Sequence, residues 1–310
     1  METKQTVTII LGPTCSGKTT LALGLCKKYG GEIISADSRQ VYKFMDIGTG
    51  KSPTNASQKV VLGKNKWTLD TIDIWGYDLV DPDEFFSAYD FAIFSLEKAR
   101  DIISRGKKVI LVGGTGFYID IFTGRIKPSN TKPDFILRKE LESLPLTELQ
   151  KKLMSLNLKE YERVDTKNKV RLIRSIEKNV SGKSSSIPLP YLSDIKYKFI
   201  GLTARNNFLF DRADRWFDFV WKNGLIDETE KLLKSKYSKS RKLNGLVYKS
   251  AAKTILGNIS EAEGIERAKF DLHAYIRRQL TYFKKMPHVV WVNVSNDGFE
   301  KRVYTLFENG

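Results

Sequence analysis

The chain has 310 residues, 41% hydrophobic and 28% charged, which suits a globular protein with one large core or two smaller ones and excludes a disordered or low-complexity chain. It holds no apolar run long enough to span a membrane, and its two cysteines, Cys15 and Cys26, exclude a disulfide framework. The net charge of +16 is uneven: residues 1–124 are close to neutral and almost all the excess follows them, as expected of a polyanion partner or, more blandly, of a lysine-rich solubility bias.

The chain enters an apolar strand, Val7 to Leu11, without a basic-then-apolar leader, so a cytoplasmic protein is expected. Behind that strand stand Gly12, Pro13, Thr14, Cys15, Ser16, Gly17, Lys18 and Thr19, followed by a helical stretch from Thr20 to Tyr29. This is the strand, loop and helix order of a phosphate cradle. Its glycines let backbone N–H groups converge on phosphate oxygens, Lys18 neutralises charge, and the hydroxyl of Thr19 can ligate Mg²⁺. The pattern is common among ATP- and other nucleotide-binding proteins, and by itself it says only that a di- or triphosphate is bound.

Next comes Gly31 to Ser38, a short strand ending in Asp37. In open α/β sheets the carboxyl ends of parallel strands meet at the ligand crevice, so Asp37 is expected beside the phosphate, as a helix N-cap or as a catalytic carboxylate. Residues 39–52 read as a short helix and a functional loop, and 53–66 as a polar surface excursion. Trp67 to Ile74 reads as one strand and Asp83 to Ser104 as a helix with an aromatic core face. A second buried strand, Lys107 to Val112, runs into Gly113-Gly114-Thr115-Gly116. Many phosphate-loop NTPases end that strand in an acid. Its absence weakens a motor ATPase or GTPase reading, while the glycines allow close backbone approach and Thr115 offers a hydroxyl near Asp37.

From 125 to 193 the texture is helical, with stretches at Asp134 to Leu144, Thr147 to Leu156 and Lys167 to Val180 and a flexible segment at Ser184 to Pro188. The expected fold is thus α/β: a parallel phosphate-loop sheet core, 1–124 and 194–310, interrupted by a helical insertion domain, 125–193. In the insertion, Val170-Arg171-Leu172-Ile173-Arg174 is either solvated surface or a contact to a phosphate backbone. Lys196 to Thr203 returns as a strand, and a helix from Phe208 to Lys222 carries Arg212 and Arg215, which either pair with Asp211 or Asp214 in solvent or clamp a diphosphate. Ser260 opens a long helix through Lys285 that carries Arg277-Arg278-Gln279 and ends in basic and aromatic residues suited to RNA.

Four segments together resemble the tRNA dimethylallyltransferases: Gly12 to Thr19; Ile33 to Tyr42 leading into Met45 to Thr49; Leu111 to Tyr118; and Arg277 to Lys284. The resemblance implies transfer of a dimethylallyl group from dimethylallyl diphosphate, with Mg²⁺, to the exocyclic amine of the adenine on the 3′ side of the anticodon, by a monomer that binds the anticodon stem-loop. It implies that residues 12 to 19 hold the diphosphate with Arg212 and Arg215, with Thr19 on the metal. Asp37 would be the general base, Thr115 and Lys18 its catalytic partners, and Asp37, Ser38, Arg39, Gln40 and Thr115 would meet the target nucleotide. Arg138, Val170 to Arg174, Lys249, Arg277, Arg278 and Gln279 would contact tRNA. The chain departs from the family pattern at Trp75-Gly76-Tyr77-Asp78, where a His-His pair is usual, at Gly245 to Lys249, and at Tyr282, where Trp is usual. A small-molecule kinase and a prenyltransferase of free adenine nucleotides are the alternatives; a non-catalytic RNA-binding module is a third. Two cysteines and two histidines are too scattered for a zinc finger.

Overall fold

The structure is a computed structural model that describes residues 5–55, 57–127, 133–181, 189–192 and 195–309. The chain divides into two units, residues 1–126 with 190–310, and Lys127–Leu189. The expected flexible segment Ser184 to Pro188 lies outside the described residues.

The first unit is built on one sheet of eight strands: β1 Gln5–Leu11, β2 Gly31–Ser35, β3 Val60–Gly63, β4 Lys66–Leu69, β5 Ile72–Trp75, β6 Lys108–Gly113, β7 Ile195–Thr203 and β8 Val289–Asn293. They lie in the order β3-β4-β5-β2-β6-β1-β7-β8. From β5 to β8 all neighbours are parallel; β3, β4 and β5 form an antiparallel meander at one end. Continuous apolar runs suit the central strands because helices cover a parallel sheet on both faces. Val7 to Leu11 is accordingly buried in β1, the polar Thr8 included, and Ile110 to Val112 is buried in β6.

The helices of this unit are α1 Lys18–Tyr29, α2 Ala88–Ser104, α3 Gly116–Phe122, and, after the insertion, α8 Asn206–Val220, α9 Ile226–Lys234, α10 Leu246–Ile255, α11 Glu261–Phe283 and α12 Phe299–Glu308. Ser87 caps α2 through a reciprocal box with Asp90, and Ser260 caps α11. The insertion contains α4 Phe135–Ser143, α5 Leu146–Leu156, α6 Leu158–Arg163 and α7 Lys169–Val180, packed around Leu141, Leu149, Leu153, Leu172 and Ile176.

Three local expectations change. Trp67 to Ile74 is two strands, because Asp70, at φ 56°, turns the chain between them. Residues 39–52 form turns and no helix. The polar excursion before Lys66 contains β3, whose Val60, Val61 and Leu62 stay exposed on an edge strand. Strand β8 and helices α6, α9, α10 and α12 are further elements that the sequence reading does not assign.

Candidate active site

The phosphate loop and the end of β2 share the wall of one cavity of about 400 Å³ in the first unit, lined by Thr14, Lys18, Thr19, Asp37, Gly114 and Gln279 among others. Close approach of two strand ends makes this possible. The Ala36 N–H donates to the carbonyl of Val112 at 2.7 Å and the Thr115 N–H to that of Ala36 at 3.1 Å. A Cβ at Gly113 would collide with the Ala36 backbone, its carbonyl carbon lying 2.5 Å away, so only glycine fits there.

No helix follows Asp37, which removes the N-cap reading. Its Oδ1 accepts the N–H of Arg39 at 2.9 Å and fixes a tight turn. Thr115 spends its hydroxyl on the same turn, accepting the Ser38 N–H at 3.0 Å and donating to Ser38 Oγ at 3.2 Å. It therefore positions the segment that carries Asp37. Burial raises the Asp37 carboxyl above its ordinary value, against the opposing pull of the Arg39 N–H and of Lys18. Burial likewise lowers Lys18 to about 8, with Asp37 acting in the other direction. Lys18 Nζ donates to the carbonyl of Pro13 at 2.5 Å, folded back onto its own loop.

Helix α11 reaches this loop through Gln279. Its Oε1 accepts the N–H of Thr14 at 2.9 Å and its Nε2 donates to the carbonyl of Gly114 at 3.0 Å, which joins the two glycine-rich turns. At 5% exposure this side chain is part of the cavity's frame, where the sequence led us to expect a contact to tRNA. The two arginines of α8 separate. Arg212 Nη2 stands 3.5 Å from where a Cβ on Gly17 would be, beside the loop. Arg215 pairs with Asp211 at 2.8 Å with its side chain 67% exposed, and a diphosphate clamp from both arginines is not formed.

The segment Gly48 to Ser52 also lines the cavity. Gln40 ties it to β2, donating to the carbonyl of Thr49 at 3.1 Å while accepting the hydroxyl of Ser35 at 2.7 Å. Lys51, fully buried, pairs with Asp46 at 2.6 Å and with Asp78, and donates to the carbonyl of Tyr42 at 2.7 Å. Glu228 of α9 accepts the N–H groups of Asp46 and Ile47 at 2.8 Å each, that of Gly48 at 3.1 Å, and the hydroxyl of Tyr248 at 2.6 Å. Sequence reasoning missed Glu228, Lys51 and Tyr248; Glu228 stands 180 to 182 residues along the chain from the N–H groups it holds.

Residues 40–286 match the family described as IPP transferase. The chain belongs to that family. A tRNA dimethylallyltransferase of Acetivibrio thermocellus is 35% identical over 314 residues, covering 97% of this chain and 96% of that one. A solved tRNA isopentenylpyrophosphate transferase from Bacillus halodurans is 30% identical, covers 99% of this chain and 96% of its own, and superposes with a TM-score of 0.69. A eukaryotic dimethylallyltransferase acting on tRNA shares the fold, with a TM-score of 0.76 at 22% identity over 98% of this chain and 79% of that one.

In this IPP transferase family member the other expected tRNA contacts fall into two groups. Arg277 and Arg278 are exposed on α11, over the rings of Phe210 and Tyr275, and Lys249 is exposed on α10. Arg39 is turned inward, donating to the carbonyl of Lys242 at 3.2 Å. In the insertion Val170 is 76% exposed and Arg171 lies 3.6 Å from Asp165. Leu172 and Ile173 are buried in that unit's core, at 0% and 6% exposure, so neither reaches RNA, which corrects the expectation for both. Arg138, at 2.8 Å, and Arg174 both grip the buried Glu177, which holds α4 to α7.

Proposed function

We propose that the protein transfers a dimethylallyl group from dimethylallyl diphosphate to the exocyclic amine of the adenosine on the 3′ side of the tRNA anticodon, acting in the cytoplasm as a monomer. The observation that carries this reading is the cavity's mixed lining. The phosphate loop and Asp37 share it with the apolar side chains of Ile33, Leu69, Ile74 and Val112. An ATP-dependent kinase needs the loop and the base but no hydrocarbon pocket between them. The named relatives and the basic later part of the chain favour tRNA over a free nucleotide.

In the proposed reaction the amine nitrogen forms a bond to C1 of the dimethylallyl group as the C1–O bond breaks, and the diphosphate leaves with the electron pair. The proton shed by the nitrogen passes to Asp37. A carboxyl with a raised pKa is better matched to a proton transfer near neutral pH than an ordinary one. Lys18, Arg212 and the N–H groups at the start of α1 offset the charge that grows on the leaving diphosphate. Among the described residues no group of three or more His, Cys, Asp and Glu could hold a metal ion. The donor set fits a Mg²⁺ that takes one hydroxyl, from Thr19, and its remaining oxygens from diphosphate and water, the habit of this ion. When bound it would neutralise diphosphate charge. An adenine must leave its stack to reach the cavity, at a cost of a few kcal/mol that contacts to the RNA backbone offset.

The test is incubation with dimethylallyl diphosphate, Mg²⁺ and unmodified tRNA, followed by digestion to nucleosides. Prenylated adenosine with released diphosphate is expected. Its absence, together with phosphoryl transfer from ATP to a small molecule, would establish the kinase instead.

A further inference from the structure

We infer that Phe44, flanked by the basic run Lys234 to Lys242, is a stacking platform for an unpaired RNA base close in sequence to the one delivered to Asp37; the inference rests on the tRNA reading. Phe44 has φ 64°, a left-handed conformation that glycine takes freely and a bulky side chain rarely does. The ring is not buried in return. It is 53% exposed, so a core contact does not account for it. One face rests on the ring of Tyr237, 5.6 Å away at 28°, which leaves the other face open.

The support beneath the ring is fixed. Tyr237 is buried, its hydroxyl donates to Asp81 at 2.7 Å, and Lys43 reaches the same carboxylate at 2.9 Å. On either side of Phe44 the Lys43 N–H donates to the carbonyl of Val80 at 3.0 Å and the Asp46 N–H to Glu228 at 2.8 Å. Tyr237 itself stands in the run Lys234 to Lys242, which holds five cations in nine residues and no acid. Lys234 pairs with Glu230 and Lys236 lies 3.6 Å from Asp81, whereas Lys239 is exposed and has no ion pair among the described residues. Aromatic rings set among cations suit a single strand, the rings taking bases and the cations phosphates. In a duplex the bases stack on one another, and an exposed ring adds nothing. This surface adjoins the cavity. Lys242 Nζ lies 4.4 Å from the centre of the Tyr42 ring, and the Lys242 carbonyl accepts from Arg39, which lines the cavity with Asp37 and Gly245. Five residues separate Arg39 from Phe44, so their Cα atoms are at most about 18 Å apart. An adenine extruded into the cavity leaves its neighbours short of a stacking partner, and the open face of Phe44 supplies one.

The experiment measures the affinity of the wild type, Phe44→Gly and Phe44→Trp for unmodified tRNA and for a fully paired RNA duplex at the same salt concentration. Phe44→Gly takes φ 64° without strain and should keep the fold, yet weaken tRNA binding by about tenfold or more, the size of one base–aromatic stack, while duplex binding stays within about twofold. Phe44→Trp, which keeps an aromatic face, should bind tRNA within about twofold of wild type or more tightly. Lys239→Gln should make the log–log salt slope for tRNA shallower by about 0.7, the share of one single-strand phosphate. If Phe44→Gly does not fold, Phe44→Asn, which also tolerates the left-handed region, is read in its place with the same expectation. Unchanged tRNA affinity in the folded variant, or an equal loss for tRNA and duplex, overturns the platform, and an unchanged slope in Lys239→Gln overturns the part given to the basic run. A wild type that does not bind tRNA overturns the reading beneath both.

Discussion

Replacing Glu228 by alanine takes away the acceptor of three backbone N–H groups, those of Asp46, Ile47 and Gly48, and of the Tyr248 hydroxyl. A hydrogen bond to a charged group contributes about 1.5–3 kcal/mol net, and a donor left dry costs about 1–3 kcal/mol. Glu228 is only half-buried, so water replaces part of what is lost, and a net destabilisation of about 2–4 kcal/mol is expected. The function should suffer as well. Gly48 to Ser52 forms one wall of the cavity, and a wall displaced by about 1 Å can lower turnover by about a hundredfold. Glu228→Gln keeps one oxygen but turns an amide N–H₂ toward donors, and should cost about half as much. Denaturant unfolding gives the stability change, and amide hydrogen exchange at Asp46, Ile47 and Gly48 reads the loop itself. Exchange at these three amides that is unchanged in Glu228→Ala, with stability within about 0.5 kcal/mol of wild type, would refute the positioning role.

The arginines of α8 should behave differently. Arg212→Ala, which removes a cation beside Gly17, should raise KM for the diphosphate by about tenfold or more, whereas Arg215→Ala, which loses only an exposed pair, should leave it within about twofold; equal effects would contradict the geometry. The pH profile of kcat/KM should have two limbs. On the acid side, activity rises as Asp37 loses its proton, above the ordinary carboxylate range because burial favours its neutral form; on the basic side it falls as Lys18 becomes neutral near about 8. A level profile from about pH 7 to pH 10 would remove Lys18 from the charge balance. Affinity for tRNA should fall steeply with salt, about −0.7 to −0.9 in log–log slope for each phosphate neutralised, and a flat response would reduce the +16 charge to a solubility feature.

What could be read from the chain were features with local causes. The phosphate loop announces itself because glycine, lysine and a hydroxyl must follow a strand at fixed spacing, and the glycines after β6 announce a close approach that Ala36 makes. The cap at Ser260 sits within one turn of what it caps, so the start of α11 was legible, whereas α2, expected from Asp83 on its apolar spacing, begins at Ala88 behind the cap Ser87. Strand β3 was not, because an edge strand with Val60, Val61 and Leu62 all exposed carries no alternation. The start of the segment 39–52 looked helical, ahead of a functional loop, for want of a visible reason to be otherwise. Its shape is imposed by Glu228, Gln40 and the buried Lys51, and contacts over up to 182 residues leave no periodic trace. The insertion arginines show the limit of reading charge alone: Arg138 and Arg174 are basic residues on a basic unit, yet both are committed to the buried carboxylate of Glu177.

The central claim is that one carboxylate and one phosphate cradle act together on a substrate held between them. Single-turnover prenyl transfer by Asp37→Asn, with tRNA and diphosphate binding measured alongside, tests it most directly. Binding should stay near wild type while the rate falls by about 10²–10⁴, the usual contribution of a positioned base; a rate undiminished in the asparagine variant would contradict the account.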